Sequence, residues 1–385
     1  MNRQFLAILG VLVVVVGGAA QLVFKQGASE KPAVSAQLGQ PLLRGLKASE
    51  IATIVIREPK ATLTLAKKDN RWTLAEKNGY PADLDKVTEI VVKGIELKAG
   101  QVEPIGEKDR ARLNLAEPGK DGAGTAVTYK AADGKILAEL LVGKKYFKKE
   151  PEGDSSKAQG DGRFVMLPSD PNQVYIVADP LRVASANASD WLSKEGVGIE
   201  RVKGLEVHPP EGTDGYRIER VTDGIDWKLE RAAGVQTAGQ KLDVSRANAA
   251  SYSLSRIDIE DLAAPDANTG LDKPTVITAT TFDGLTYTLR VGNVANDKAF
   301  VKIEVEGTPV RESTPPKAEE KAEDKARREK AFSDEKKKLE ERVAREKSLK
   351  DYVLVVSARK LADTLKKRGD LLEQKKPDDK AAKKK

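Results

Sequence analysis

The side chains that most often carry out chemistry in proteins are scarce in this chain. Its 385 residues include no cysteine and a single histidine, His208. These counts exclude disulfides, thiolate zinc sites, iron–sulfur clusters and cysteine nucleophiles, together with metal sites built from several histidines. One histidine leaves little room for a Ser-His-Asp triad. Because His208 precedes Pro209 and Pro210, we interpret it as a loop residue rather than a catalytic base.

Carboxylates are abundant, so a glycosidase-like acid pair stays open as a possibility, although nothing in the sequence selects one. Asp266, Asn268 and Gly270 resemble part of a calcium loop, but the spacing differs and the distal glutamate is missing, which favours a turn. The chain has no phosphate-binding loop, dinucleotide fingerprint or common hydrolase motif. We therefore expect a protein that is not an enzyme, with no catalytic, cofactor-binding or metal-binding residues and no cofactor.

The net charge of +7 is confined to two segments. Residues 317–350 contain thirteen basic and ten acidic residues, and residues 375–385 contain six basic and two acidic residues. The rest of the chain is balanced. A nucleic-acid-binding domain would carry a basic face of its own, so we expect no nucleic-acid partner.

The amino terminus is predicted to be a membrane anchor, residues 1–25. Residues 5–24 carry no charge, and a helix of twenty residues spans about 30 Å, the thickness of the hydrocarbon core. A cleaved signal peptide is the alternative, because Gly18-Ala19-Ala20 resembles a cleavage site. The apolar run continues to Phe24, which favours an uncleaved single-pass anchor in the bilayer of the inner (cytoplasmic) membrane, with the bulk of the chain extracytoplasmic.

The body of the chain contains a duplication of strand-like and helix-like patterns. Each copy has a strand with a tryptophan, Trp72 or Trp227, which we interpret as core or sheet-packing residues rather than ligand platforms. The apolar spacing after the first of these strands predicts a helix from Leu84, and the similar segment from Leu242 to about Ser255 predicts a second. The predicted strands, paired between the copies, are 51–56, 61–66, 71–74, 125–129, 136–143, 164–167 and 174–177 against 205–207, 216–221, 227–230, 275–278, 285–292, 300–303 and 352–355. A closing helix is predicted in each copy, over residues 179–192 and 358–373.

These patterns predict the fold class α+β. We expect two tandem copies of a mainly antiparallel sheet with two helices each, preceded by one transmembrane helix. The predicted organisation is an anchor at 1–25, a tether at 26–41, repeats at 42–198 and 199–374, and a disordered basic tail at 375–385.

The second repeat contains a charged insertion, residues 308–350, where the first repeat has only the turn 168–172. Opposite charges three and four residues apart predict a solvated helix. A break at Ser333 and Asp334 would turn this helix into a helical hairpin. Three interpretations remain open: a projection without a dedicated partner, a docking arm for another envelope protein, and disorder.

Several of these motifs resemble the domain-of-unknown-function family 4340. They are the membrane segment, the Ile54-Val55-Ile56 strand, the Arg71-Trp72-Thr73-Leu74 strand, Tyr80-Pro81-Ala82-Asp83-Leu84 before a helix, and Val142-Gly143-Lys144 before the Phe164-Val165 strand. The resemblance covers residues 42–203 well and the second copy more loosely. It implies association with ABC transport systems of the gliding-motility type, and it carries over no site residues.

Three functions are consistent with these observations. The first is a non-catalytic accessory protein of an ABC-type transport complex, which acts by contact with a protein partner. The second is a binding module for envelope polysaccharide or peptidoglycan, supported by the basic tail. The third is a carboxylate-dependent hydrolase, which requires two acidic side chains facing each other in a pocket.

Overall fold

The computed structural model describes residues 38–149, 158, 160–179, 181–212, 214–230, 240–311 and 321–373. The chain separates into two compact units, divided after Leu192. We call residues 38–192 the first body and residues 193–373 the second body. Among the described helices, none is long and apolar enough to cross a membrane. The predicted membrane segment and basic tail lie outside the described residues.

The first body is built on one antiparallel sheet of nine strands. The strands are β1 (Thr53–Glu58), β2 (Ala61–Lys68), β3 (Arg71–Leu74), β4 (Tyr80–Pro81), β5 (Gln101–Pro104), β6 (Thr125–Lys130), β7 (Ile136–Tyr146), β8 (Gly162–Leu167) and β9 (Asp170–Val177). Their spatial order is β4-β3-β2-β1-β6-β7-β8-β9-β5. Two helices accompany the sheet, α1 (Leu84–Glu96) and α2 (Glu107–Arg112).

The second body is built on an antiparallel sheet of eight strands. They are β10 (Val202–His208), β11 (Tyr216–Glu219), β12 (Lys228–Glu230), β13 (Ile259–Leu262), β14 (Thr275–Thr281), β15 (Thr286–Ala295), β16 (Lys298–Glu306) and β17 (Leu354–Ser357). Their order is β12-β11-β10-β14-β15-β16-β17-β13. The helices are α3 (Val244–Tyr252) and α4 (Ala322–Lys347).

The two strand orders match element by element, except that β4 has no counterpart. The predicted α+β character and the two sheet-rich, repeat-like bodies are therefore confirmed. The edge strands β5 and β13, which pair with β9 and β17, were not predicted. Their sequences lack the alternation of apolar and polar residues that marks a half-buried strand. The tryptophans are equivalent, since Trp72 and Trp227 each lie two residues before the leucine that pairs with the preceding strand.

One face of each sheet carries the main core. In the first body, Ile54 lies opposite Leu65 on one side and Tyr129 on the other, and all three are buried. The Tyr129 hydroxyl donates a 2.8 Å hydrogen bond to the Ile90 carbonyl of α1. A Cβ added at Gly94 would come within 2.5 Å of that hydroxyl oxygen. A glycine at this position therefore allows α1 to pack closely on the sheet.

The predicted closing helices, residues 179–192 and 358–373, are wrong. The described residues of the first segment form only a 3-10 turn at Ala188–Trp191, and the second forms short 3-10 turns at Ala358–Lys360 and Arg368–Leu371. Asp179 accepts a 2.6 Å hydrogen bond from the Leu181 amide, and Leu181 has a positive φ of 46°. Polar side chains that bond to nearby backbone compete with helix formation in this way.

The closing segments instead fix the start of α1 and α3. The amides of Asp83 and Asp243 each donate a 2.8 Å hydrogen bond, to the Trp191 and Leu371 carbonyls. The two aspartates also cap their helices, because each carboxylate accepts from two amides of the first turn.

The ladder corrects one alignment between the copies. Residues 174–177 were matched with 352–355, but Tyr175 pairs with Val165 and Leu354 pairs with the equivalent Val301. Tyr175 is therefore equivalent to Leu354, one residue further along. A one-residue slip exchanges the two faces of a strand. With the observed register, Tyr175 lies on the same sheet face as Ala138, and Leu354 lies on the same face as Tyr287.

We predict that Asp83→Ala lowers the free energy of unfolding by about 1 kcal/mol, because two amides in the first turn of α1 lose their acceptor. Asp243→Ala should have a similar effect through α3. Urea unfolding followed by far-ultraviolet circular dichroism measures both changes. Asp83→Asn is the matched control, since an amide oxygen still caps the helix. An equal loss in Asp83→Asn would contradict the capping role.

Candidate functional site

The charged insertion forms one long helix with two different halves. Helix α4 runs without a break through Ser333 and Asp334, so the described part is not a helical hairpin. From 322 to 338 all residues are exposed except Arg328 and Phe332, which are partly exposed. We call this the outer half. We call residues 339–350, the last turns of α4 and most of the 3-10 turn Ser348–Asp351 that follows it, the docked half; four of its side chains are buried: Leu339, Val343, Glu346 and Leu349.

The spacing of the buried residues explains where docking begins. Leu339, Val343, Glu346 and Leu349 are separated by four, three and three positions, so they share one face of the helix. That face packs on β16. The outer half has no comparable apolar stripe. Along α4, Lys325 lies 3.9 Å from Glu329 and Lys336 lies 4.0 Å from Glu340, pairs that each stabilise a solvated helix by about 0.2–0.5 kcal/mol.

Glu346 is a carboxylate on the buried face of α4. Its side chain has 0% exposure. It accepts a 2.8 Å hydrogen bond from the Tyr287 hydroxyl of β15 and a 3.1 Å hydrogen bond from the Gly198 amide. Burial raises the pKa of Glu346, although these donors and the nearby Arg342 and Arg345 act in the opposite direction. Burial and Glu346 likewise raise the pKa of Tyr287.

Two arginines of α4 contact the segment that enters the second body. Arg342 Nη1 lies 3.2 Å from Glu200. Arg345 pairs with Glu195 and donates a 2.9 Å hydrogen bond to the Gly196 carbonyl. Because Glu195 and Glu200 are largely exposed, these pairs contribute little individually. They orient α4, whereas the buried leucines, Val343 and the Tyr287–Glu346 hydrogen bond hold it in place.

The equivalent place in the first body is open. In the first sheet Tyr129 pairs with Ala138, and in the second sheet Ala279 pairs with Tyr287 at the same two positions. The tyrosine has therefore moved to the other strand of the pair. Where Tyr287 meets α4, the first body has Ala138, and a two-residue connection, Pro168 and Ser169, replaces the long insertion.

A cleft of about 350 Å³ occupies that place. Its apolar lining includes Leu42, Leu43, Ala138 and Leu167, and its polar lining includes Arg44, Asp170 and Tyr175. The Tyr175 hydroxyl lies 3.0 Å from Asp170, to which it donates a hydrogen bond. Burial, with a contribution from Asp170, raises the pKa of Tyr175 to about 12.

The cleft does not pair its two carboxylates as a glycosidase would. Glu139 also lines it, but its side chain accepts a 2.9 Å hydrogen bond from Thr128, its cross-strand partner. Glu139 alternates with Ala138 and Leu140, so it lies on the opposite sheet face from Tyr175 and its partner Asp170. A glycosidase needs two carboxyl groups that flank the glycosidic bond to be cleaved, one on each side.

The other residues singled out by sequence have local partners. His208 is the last residue of β10, with Nε2 2.9 Å from Glu206, and its side chain is 46% exposed. Asn268 accepts a 3.0 Å hydrogen bond from Asn293 through its carbonyl, and Gly270 has a positive φ of 64°, which agrees with the predicted turn. Within the part of the chain that the structure describes, no group of three His, Asp or Glu side chains could hold a metal ion.

Trp227 is part of a charged and aromatic cluster at one end of the second sheet. It is buried, and the Arg220 guanidinium lies 4.7 Å from its ring centre. Arg220 and Arg201 share Asp223 at 2.9 and 2.8 Å, and Arg201 also pairs with the buried Asp283. The two cations and two anions are matched, so this cluster fixes the corner of the sheet. The predicted packing role of Trp227 is confirmed.

Sequence reasoning missed Tyr287, Gly198 and Glu346. The one available signal was a glutamate in register with Leu339 and Val343, on the apolar stripe of an otherwise charged segment. The partners Tyr287 and Gly198 lie 59 and 148 residues away, and no local pattern connects them.

We predict that Tyr287→Phe weakens the docking of α4, because it removes a donor from a buried carboxylate, at a cost of about 1–3 kcal/mol. The chain has no cysteine, so Val343→Cys introduces a unique buried thiol whose labelling rate reports undocking. We expect Tyr287→Phe to increase that rate roughly tenfold, at about 1.4 kcal/mol per factor of ten. Tyr252→Phe, at an exposed tyrosine, should leave it unchanged. Equal rates in both backgrounds would contradict the anchoring role.

The pH dependence of docking should follow the raised pKa of Glu346. A carboxyl with a pKa raised above its usual 4.5 binds its proton more tightly when docked. The contribution of Glu346 protonation to the free energy of docking is therefore complete below pH 4.5, and it is lost as the pH rises through the pKa that Glu346 has when α4 is docked. Labelling of Val343→Cys, normalised to the exposed Ala344→Cys, should be slower at pH 5 than at pH 8. Glu346→Gln should abolish this difference, and a difference that persists would refute the assignment.

Comparison with known families identifies one match. The profile of the family described as Domain of unknown function (DUF4340) matches residues 72–274. The match begins at Trp72 in β3, continues through Trp227 and ends just before β14. It therefore starts later than the resemblance noted from the motifs and extends further into the second body. Comparisons with curated proteins and with solved structures give no match. Because the profile covers more than half of the 385 residues, the chain belongs to the DUF4340 family.

Proposed function

We propose that this protein is a membrane-anchored, extracytoplasmic accessory component of an ABC-type transport complex. In this proposal it acts by protein–protein contact rather than by catalysis. The observation that carries the proposal is the outer half of α4, a charged helical segment in which all residues but Arg328 and Phe332 are exposed. The docked half holds the base of this segment on the second body.

The energetics of α4 support a docking arm. A polar helix without an apolar face gains little from its own body and requires another source of order. Here the source is the docked half, where a buried glutamate is matched to Tyr287 and Gly198. Removing either partner of such a buried contact is costly. A demanding anchor therefore holds a segment that, among the described residues, makes few contacts with its own body, such as the Arg311–Glu335 pair at 3.7 Å.

The location in this proposal comes from the uncharged residues 5–24, which are long enough to span a bilayer. The association with a transporter comes from the resemblance of the motifs. An arm that displays alternating charges can select its partner by complementary charges, which contribute specificity and association rate.

We predict that charge reversal on the outer half weakens the complex. Lys325→Glu with Lys330→Glu changes two exposed residues of α4. Chemical crosslinking in cells followed by purification from detergent extracts should recover a transporter permease with the unmodified protein, and at least tenfold less with this variant. Lys67→Glu with Lys68→Glu makes the same charge change at exposed positions at the end of β2 and should recover the permease within twofold.

Two results would overturn the proposal. One is recovery of only the protein itself under conditions that preserve membrane complexes. The other is complete digestion of its bodies when protease is added to the outside of everted vesicles but not when it is added to spheroplasts, which would place the bodies on the cytoplasmic side.

A further inference from the structure

Because the two bodies have the same strand order apart from β4, the contacts made in one body indicate what the equivalent surface of the other body can bind. In the second body the docked half of α4 lies against Tyr287, β16 and the entry segment around Gly198. In the first body the ladder places Ala138 and β8 at the first two of these positions. The third position is Pro41. The Leu42 amide donates to the Leu97 carbonyl just after α1, and the Ile199 amide donates to the Leu254 carbonyl just after α3, so Pro41 and Gly198, which precede these donors, are equivalent.

All three equivalents border the 350 Å³ cleft, which is lined by Pro41, by Ala138 and by Leu167 of β8. The surface that a helix covers in the second body is thus a cleft in the first body, where the connection between β8 and β9 is too short to supply a helix.

The residues that differ specify the occupant. Pro41 has no amide hydrogen, and Ala138 has no hydroxyl, so both donors that satisfy Glu346 in the second body are missing at this position. A carboxylate at the position of Glu346 would lack both of these donors, and burial without equivalent hydrogen bonds is costly. The cleft instead provides apolar side chains, Leu42, Leu43 and Leu167, and the volume left by the change from tyrosine to alanine. An aliphatic side chain therefore fits where Glu346 lies in the second body.

The rim adds charge complementarity. Arg44 and Asp170 border the same cleft, so it offers one cation and one carboxylate beside an apolar floor. An amphipathic helix with an aliphatic anchor, flanked by one acidic and one basic residue, matches this arrangement.

We infer that the cleft between residues 40–44 and the β7–β8–β9 edge of the first body is a docking site for an amphipathic helix of a partner protein. The helix inserts an aliphatic side chain beside Ala138 and pairs a basic residue with Asp170 and an acidic residue with Arg44. This site goes beyond the proposed function, since it would accept a helix whether or not the outer half of α4 contacts a transporter.

The test uses a fluorescent peptide of residues 335–350 carrying Glu346→Leu. This sequence reproduces the helix end that fills the equivalent place, with the aliphatic anchor that the first body requires. A side-chain lactam between Lys337 and Glu341, an exposed pair 4.0 Å apart on α4, pre-forms the helix, because short isolated helices are marginal in water. Binding to the purified full-length chain in detergent is measured by fluorescence anisotropy.

We expect saturable binding, at least tenfold tighter than that of the same lactam peptide with Glu346 retained. Ala138→Trp, which fills the cleft, should weaken binding at least tenfold. Ala132→Trp, at an exposed turn residue outside the cleft, should leave it unchanged. Asp170→Asn should weaken binding several-fold, and circular dichroism should show that all three variants keep the fold. A photoreactive group at position 343 of the peptide should crosslink to the first body.

Several outcomes would overturn the inference. They are no saturable binding, equal binding to the Ala138→Trp variant, or crosslinks confined to the second body, which would indicate exchange with α4. If Ala138→Trp lowers the oligomeric state of the protein alone, the occupant is a second copy of this chain and the partner-helix assignment is wrong.

Discussion

The need to cover one face of each sheet governs the rest of this structure. In both bodies the central strands place consecutive buried side chains on that face, for example Ile54, Tyr129 and Leu65 in one ladder and Leu205, Ala279 and Ile218 in the other. Burial of such surface is the main favourable contribution to folding. Helices α1 and α3 cover part of each face. The remaining part is covered by α4 in the second body, and in the first body it borders a cleft.

The two copies have diverged most where this cover differs. In the first body the tyrosine of the β6–β7 strand pair is Tyr129, whose hydroxyl contacts α1. In the second body the tyrosine of the equivalent β14–β15 pair is Tyr287 on the other strand, whose hydroxyl contacts α4. Replacement of a glycine amide by Pro41 removes the other donor. A buried carboxylate is tolerated only where it is hydrogen-bonded, so these changes assign a glutamate-bearing helix to the second body alone. The second body thus carries its own helix at this place, and the first body has a cleft there.

Sequence reasoning predicted the elements whose patterns are local. Helices α1 and α3 follow from apolar spacing after Leu84 and Leu242, and the hairpins follow from alternation and from Asp-Gly turns such as Asp133-Gly134 and Asp283-Gly284. The closing helices were wrong because Asp179 and Thr364 bond to backbone groups, the latter to the Ala250 carbonyl, and helical spacing cannot reveal such competition. The Glu346 cluster and the cleft depend on contacts between distant residues, and on a ladder register one residue away from the sequence alignment.

The central claim is that α4 is a docking arm, with its base fixed on the second body and its outer half reserved for a partner. Hydrogen exchange measured by mass spectrometry tests this most directly, on the purified protein and on the protein in its native membranes. The account predicts slow exchange in residues 339–350 in both samples, and exchange in residues 322–338 that is fast in the purified protein and slowed in membranes. Equal protection of both halves in the purified protein, or an outer half that exchanges equally fast in membranes, would contradict it.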